Sequence, residues 1–159
     1  MEAEEKLTLT EAHLKFAKEA NGHAWKLLEK QGRTPDDDDE MLEAVYASYY
    51  HWRAAGTAVH LQRGEWFLAH VYTVLGGARN ALRHAWRCSE LTENYKDQMT
   101  DFDLAYRHEC LARALAVGGN LTEARRIKDL ARAAGEAIED EEDRAIFMGD
   151  LNGGDWYGL

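Results

Sequence analysis

The sequence predicts an all-α protein of stacked antiparallel helical hairpins, about six helices in all. Three observations lead there. A single proline stands among 159 residues, so long helices run without losing a backbone donor or meeting a clashing ring. Apolar residues recur in steps of three and four through most of the chain, the period of a helix with one buried face. Threonine and asparagine residues suited to helix capping stand just ahead of several of these stripes, and no segment alternates with the period of a strand.

The first helix opens at Thr8-Leu9-Thr10-Glu11, a capping box in which the threonine takes an orphan amide and the glutamate reaches back. Its stripe is Leu9, Ala12, Phe16, Ala20, Ala24, Leu27 and Leu28, and Gln31-Gly32-Arg33 ends it. Thr34-Pro35 opens the second helix, with proline at the first helical position, where its missing N–H costs nothing. Asp36 to Asp39 then sit at the positive end of the helix dipole, each stabilising by about 0.3–1 kcal/mol where exposed. This helix is expected to run from near Asp37 to Arg63, with Met41, Leu42, Val45, Tyr49, Trp52, Gly56 and Val59 facing inward.

Gly64 is expected to break the chain before a third helix, near Glu65 to Glu90, with the stripe Phe67, Val71, Val74, Leu75, Ala78, Leu82 and Ala85. Gly76-Gly77 inside it weakens it by roughly 1 kcal/mol per glycine, which implies a bend or a close backbone approach. A polar connector, Thr92 to Met99, leads to a fourth helix capped at Thr100-Asp101-Phe102-Asp103 and reaching Val117. Gly118-Gly119 stops it. Asn120-Leu121-Thr122-Glu123 starts a fifth, whose buried face is Leu121, Ala124, Ile127, Leu130, Ala131, Ala134 and Ile138. A short acidic sixth helix spans about Asp140 to Asp150, and Asn152-Gly153-Gly154 ends it. The whole reads as one domain over residues 1–159, with a flexible charged tail at 1–7 and a second tail at 152–159. The aromatics Trp156 and Tyr157 of that second tail are expected to fold back on the core, because exposed aromatic tails promote aggregation.

Composition narrows the function. The formal charge is −10, from 29 acidic and 19 basic residues, so nucleic-acid phosphates and anionic lipid surfaces are repelled. No apolar run has the length of a membrane span, and the start of the chain lacks signal-peptide character. Cys88 and Cys110 make no framework and read as reduced thiols of a cytoplasmic protein.

Catalytic constellations are wanting. No Glu-x-x-His pair of the di-iron type is present, and His108-Glu109 is not followed by the second histidine of a zinc protease. His84 and Cys88 stand four apart on one helix face, but two ligands do not make a zinc site. Ser48 and Ser89 lack the glycine-flanked elbow of a catalytic serine, and neither Gly76-Gly77 nor Gly153-Gly154 has the lysine and strand of a phosphate loop. Asp36 to Asp39 lack the alternating spacing of a calcium loop. No metal, no cofactor and no enzymatic activity is therefore expected.

Two segments align with each other. Gly56 and Ala112 are small residues eight positions before a turn, at Gly64 and Asn120, and Val59 matches Leu115 in register. These features resemble the tetratricopeptide repeat, a helix–turn–helix unit of roughly 34 residues. Ala105 to Ile138 matches best, with Ala112, Leu115, Gly119-Asn120, Ala124 and Ala131 at the family's small, large apolar, turn and later alanine positions. The other copy has Trp52 and Gly56 but slips by one residue, with Ala69 where Leu68 is wanted. Neither copy has the closing proline, and Glu136 stands at that place in the second.

The resemblance covers about two thirds of the chain and implies a right-handed array, like that of uncharacterised bacterial proteins of this kind. It implies binding without a defined activity, through a groove lined by Tyr50, Arg53, Thr57 and His60 from one copy and Tyr106, Glu109 and Arg113 from the other. Their spacing puts these residues on a face opposite the assigned core stripe, and arginine and tyrosine are enriched at binding hot spots. The expected function is a protein- or peptide-binding scaffold or adaptor. The alternative is a small-molecule-binding or sensor bundle using the aromatic interior near Tyr49, Trp52, His60 and Trp66. With few repeats, an apolar edge falls to a second copy, as a homodimer, or to the last helix.

Overall fold

The structure, a computed structural model, describes residues 3–159 as seven α-helices and one short 3₁₀ turn, with no strand among them. The backbone gathers into two compact units, Met1–Gly64 and Glu65–Leu159.

In the first unit, α1 (Leu9–Glu29) and α2 (Pro35–Ala55) form a hairpin. Both start as their sequences predict. Thr8 Oγ1 accepts from the Glu11 amide at 3.1 Å and Glu11 Oε2 accepts from the Thr8 amide at 2.9 Å. Thr34 and Asp37 repeat the exchange at 3.2 and 2.9 Å, with Pro35 at the first helical position and Asp36 to Asp38 in the first turn. Ser48 Oγ donates to the Ala17 carbonyl at 2.8 Å, and His23 meets Glu40 at 2.9 Å, which fixes an antiparallel register. Ala17, Ala24 and Leu27 supply α1's buried face, against Met41, Ala44, Val45 and Tyr49 of α2. Small side chains on α1 allow the close approach that buries Met41 and Tyr49.

The expected second helix is corrected here. It stops at Ala55, eight residues short of Arg63, because Gly56 is extended (φ −92, ψ −171) and its amide turns back to the Trp52 carbonyl. A new helix, α3 (Ala58–Val74), starts two residues on. Gly64 makes no turn and lies inside α3. Its missing side chain admits the Tyr49 ring, since a Cβ there would fall 2.6 Å from Tyr49 Cδ2. The proposed equivalence of Gly56 and Ala112 therefore fails: Gly56 closes a helix, whereas Ala112 is fully buried in the middle of one.

The second unit holds the rest of α3, then α4 (Ala78–Asn94), the 3₁₀ turn Lys96–Gln98, α5 (Asp101–Val117), α6 (Leu121–Glu136) and α7 (Glu141–Asn152). Gly76, at φ +76, turns the chain between α3 and α4, so the expected third helix is two pieces. Thr100 and Asp103 form a capping box on α5, and Asn120 and Asp140 cap α6 and α7. α5 packs on α4, α6 and α7, and every residue from Cys110 to Ala116 is buried. Its alanine-rich sequence presents little bulk in any direction, which suits a helix covered on several sides. Ala112, Leu115, Ala124 and Ala131 are buried between α5 and its hairpin partner α6, and Phe147 and Leu151 of α7 complete that core.

Candidate functional site

Of the seven residues expected to line a groove, four lie in the first unit. Tyr50 is 66% exposed on α2. Arg53 is exposed too, its guanidinium 5.1 Å from the centre of the Tyr49 ring. Thr57 and His60 do other work. His60 Nδ1 accepts from the Thr57 amide at 3.0 Å and lies 3.1 Å from Thr57 Oγ1, so the pair caps the start of α3. The His60 ring stacks on Trp52 at 4.1 Å, and burial, then Arg63 and Lys18, lowers its pKa and favours the neutral, accepting imidazole. Thr57 and His60 thus cap the start of α3, a helix separate from α2.

Beside Tyr50 lies a set of side chains that includes Leu9 and Phe16 of the expected core stripe. Leu9 is 76% and Phe16 48% exposed, and His13 and His51 lie between Phe16 and Tyr50. The expected stripe holds at Ala24 and Leu27 but not at Leu9 and Phe16. α1 buries Ala17, Ala24 and Leu27, and Phe16 is rotated about 100° from Ala17. His13 Nδ1 and His51 Nδ1 are 2.8 Å apart, so one ring donates and the other accepts. The rings of His13 and His51 are 5.1 Å apart, Phe16 is 5.5 Å from His51, and Tyr50 meets His51 edge-on at 5.4 Å. Tyr46, one turn before Tyr50 and 42% exposed, extends the strip along α2. The result is one continuous aromatic face on the α1–α2 hairpin.

The other three residues, Tyr106, Glu109 and Arg113, do share one face of α5, but the face is covered. Glu109 is 2% exposed; its Oε2 accepts from Trp66 Nε1 at 2.9 Å and its Oε1 from Arg113 Nε at 2.5 Å. Arg113 spends its remaining nitrogens on backbone carbonyls: Nη1 on Asp155 at 2.8 Å, Nη2 on Asp150 at 2.5 Å and Gly153 at 3.0 Å. Trp156 lies over the guanidinium at 4.1 Å, with Lys128 Nζ also 4.0 Å from its ring. Tyr106 Oη donates to Asp150 Oδ2 at 2.5 Å, and burial, reinforced by that carboxylate, pushes the phenol pKa far up. The expected open groove is thus corrected: α7 and the segment after it fill this part of it. As expected, Trp156 folds back on the core, at 9% exposure.

Other chemistry-bearing groups are internally paired. His84 Nδ1 meets Glu65 Oε2 at 2.6 Å and Arg87 holds the other oxygen at 2.9 Å. Cys88 and Cys110 are buried free thiols, and burial pushes the Cys110 pKa up. Trp66 and His70 stack at 5.0 Å in the second unit, where burial lowers the His70 pKa. Among the described residues no three His, Cys, Asp or Glu side chains are grouped to hold a metal ion, and no helix is long and apolar enough to cross a membrane. Compared with family models, curated proteins and solved structures, the chain gives no match.

Proposed function

We propose that the chain is a protein- or peptide-binding scaffold rather than an enzyme, and that it grips its partner with the aromatic face of the α1–α2 hairpin. The observation that carries this reading is the exposure of Leu9, Phe16, Tyr46 and Tyr50 side by side with His13 and His51. Contiguous exposed apolar surface of this kind is uncommon unless something covers it. Tyrosine and arginine, here Tyr50 and Arg53, anchor interfaces with a stiff ring or a planar fork at low entropic cost. The α5–α6 hairpin keeps the tetratricopeptide-like positions Ala112, Leu115, Ala124 and Ala131 buried, which supports a binding scaffold of that type. A cytoplasmic setting fits the two free thiols.

The test is photocrosslinking from a benzoylphenylalanine placed at Tyr50, with Phe16→Ala as the competing lesion. A discrete crosslinked partner is expected, its yield falling at least tenfold in the Phe16→Ala chain, in line with loss of one aromatic hot spot. Sedimentation at rising concentration separates a foreign partner from a second copy. No crosslink, together with a monomer at all concentrations, would reject the face.

A further inference from the structure

The face of α5 that carries Glu109 and Arg113 is occupied by the molecule's own chain, and the way it is occupied describes a receptor. Arg113 is oriented without the covering segment, because its Nε is held by Glu109, which Trp66 holds in turn. Its two outer nitrogens are aimed at carbonyl oxygens, those of Gly153 and Asp155 in the covering segment and that of Asp150 in α7, backbone atoms that any peptide possesses. A guanidinium that reads backbone accepts many sequences. Selectivity comes from the next residue. The Trp156 indole lies within about 4 Å of two cations, Arg113 and Lys128, an arrangement that rewards an electron-rich ring. Arg132, which reaches Asn152 at 3.2 Å and helps lower the Lys128 pKa after burial, adds a third cation and favours acidic neighbours such as Asp155.

One residue of the covering segment, Tyr157, is also held in a costly shape between glycines that reach it freely. Gly154, Tyr157 and Gly158 all adopt left-handed φ angles, of 70°, 55° and 90°, and Tyr157 is the one non-glycine residue to do so among the described residues. A side chain with a Cβ resists that conformation, and it persists only while its surroundings enforce it. Tyr157 itself is held by its hydroxyl on the Thr73 carbonyl at 3.2 Å and its amide on Asp155 Oδ1 at 2.7 Å, and its neighbours by Arg113, by Trp156 Nε1 donating to the Leu151 carbonyl at 2.9 Å and by the Leu159 amide on the Trp156 carbonyl at 3.1 Å.

We propose that Gly153–Leu159 is a plug bound in cis in a peptide site on α5, exchangeable for an acidic, tryptophan-bearing peptide supplied in trans. This site lies wholly in the second unit and does not rest on the face of α1 and α2. In the intact chain the plug competes at the high effective concentration of a tethered ligand, so the site is closed by default. A partner opens it by presenting its own indole while the segment relaxes outward.

The probe is a fluorescein-labelled peptide of sequence Gly-Gly-Asp-Trp-Tyr-Gly-Leu, titrated into the full-length protein and into full-length Trp156→Ala. Anisotropy is expected to show binding to Trp156→Ala at least tenfold tighter than to the wild type, abolished when the peptide's tryptophan is replaced by alanine. Hydrogen exchange on the wild type supplies a second reading: amides of residues 156–159 are expected to exchange at least a hundredfold faster than those of α5. Failure of a folded Trp156→Ala chain to bind the peptide would overturn the proposal. So would unfolding of that variant, or exchange of the segment in step with α5, since either makes the segment a fixed part of the core. None of these outcomes bears on crosslinking from Tyr50.

Discussion

Arg113 stands one helical turn beyond Glu109 on α5 and donates its Nε to the Glu109 carboxylate at 2.5 Å, with both side chains buried. A pair in this position is held by mutual need. Desolvating both charges costs several kcal/mol, and the attraction between them repays it only while both are present and hydrogen-bonded. Arg113→Ala leaves the carboxylate with the Trp66 indole alone and strips a donor from three carbonyls. The expected loss is about 3–5 kcal/mol of unfolding free energy. Arg53→Ala, at an exposed position, removes one cation–π contact and is expected to cost about 0.5–1 kcal/mol. Urea midpoints of the two variants check this. Equal midpoints would show that the α5 arginine is as solvated as the one on α2.

Three glycines within helices make a graded test of packing against propensity. Alanine at an open helical glycine stabilises by roughly 0.5–1 kcal/mol through helix propensity and the entropy of the unfolded chain. Gly22 of α1 has nothing within 4 Å of where a Cβ would stand, so Gly22→Ala is expected to raise the melting temperature. At Gly64 the new methyl meets the Tyr49 ring at 2.6 Å, and at Gly135 it runs into the Phe147 ring. Overpacking of that kind costs about 1–3 kcal/mol, enough to reverse the sign. Thermal melts of the three single variants decide it; stabilisation by Gly135→Ala would mean that α7 does not press on α6 as described.

The same glycines explain what could be read from the sequence. The starts of α1, α2 and α5 were legible because capping is settled within four residues: Thr8 with Glu11, Thr34 with Pro35 and Thr100 with Asp103 stand where those helices begin, whereas α3 and α4 start without such a signal. Whether Gly56 or Gly64 ends a helix was not legible, because the answer depends on the Tyr49 ring arriving from another helix. The candidate site divides in the same way. Spacing placed Tyr50 and Arg53 on α2 and grouped Tyr106, Glu109 and Arg113 on α5. It carried no information that α7 and the following residues cover the second group. Phe16 was misplaced for a related reason: alanines at Ala17 and Ala24 define α1's inner face, and a hydrophobicity stripe weighs a large ring above a methyl group.

His108 on α5 gives the chain a pH dependence whose direction follows from burial. Burial, with Arg107 beside it, lowers its pKa from 6.5 to about 4, and the nearby Glu93 carboxylate only partly offsets this. Above pH 6.5 the imidazole is neutral in both folded and unfolded chains and stability is unaffected. As pH falls below 6.5 the unfolded chain takes up a proton that the folded chain refuses, so stability falls until the folded pKa is reached near 4. Full linkage across that window amounts to about 1–3 kcal/mol, reduced to the lower part of the range by the side chain's partial exposure. His70, whose pKa burial also lowers, adds to the same slope. Glu93 and Glu123, held low by Arg107 and Arg126, lose their stabilising charge at more acidic pH. Replacing His108 by glutamine removes one titrating group and leaves the others. Between pH 7 and pH 4.5 the wild type is therefore expected to lose about 1 kcal/mol more than His108→Gln, as read from urea midpoints at each pH. Parallel pH profiles would place the His108 ring in water.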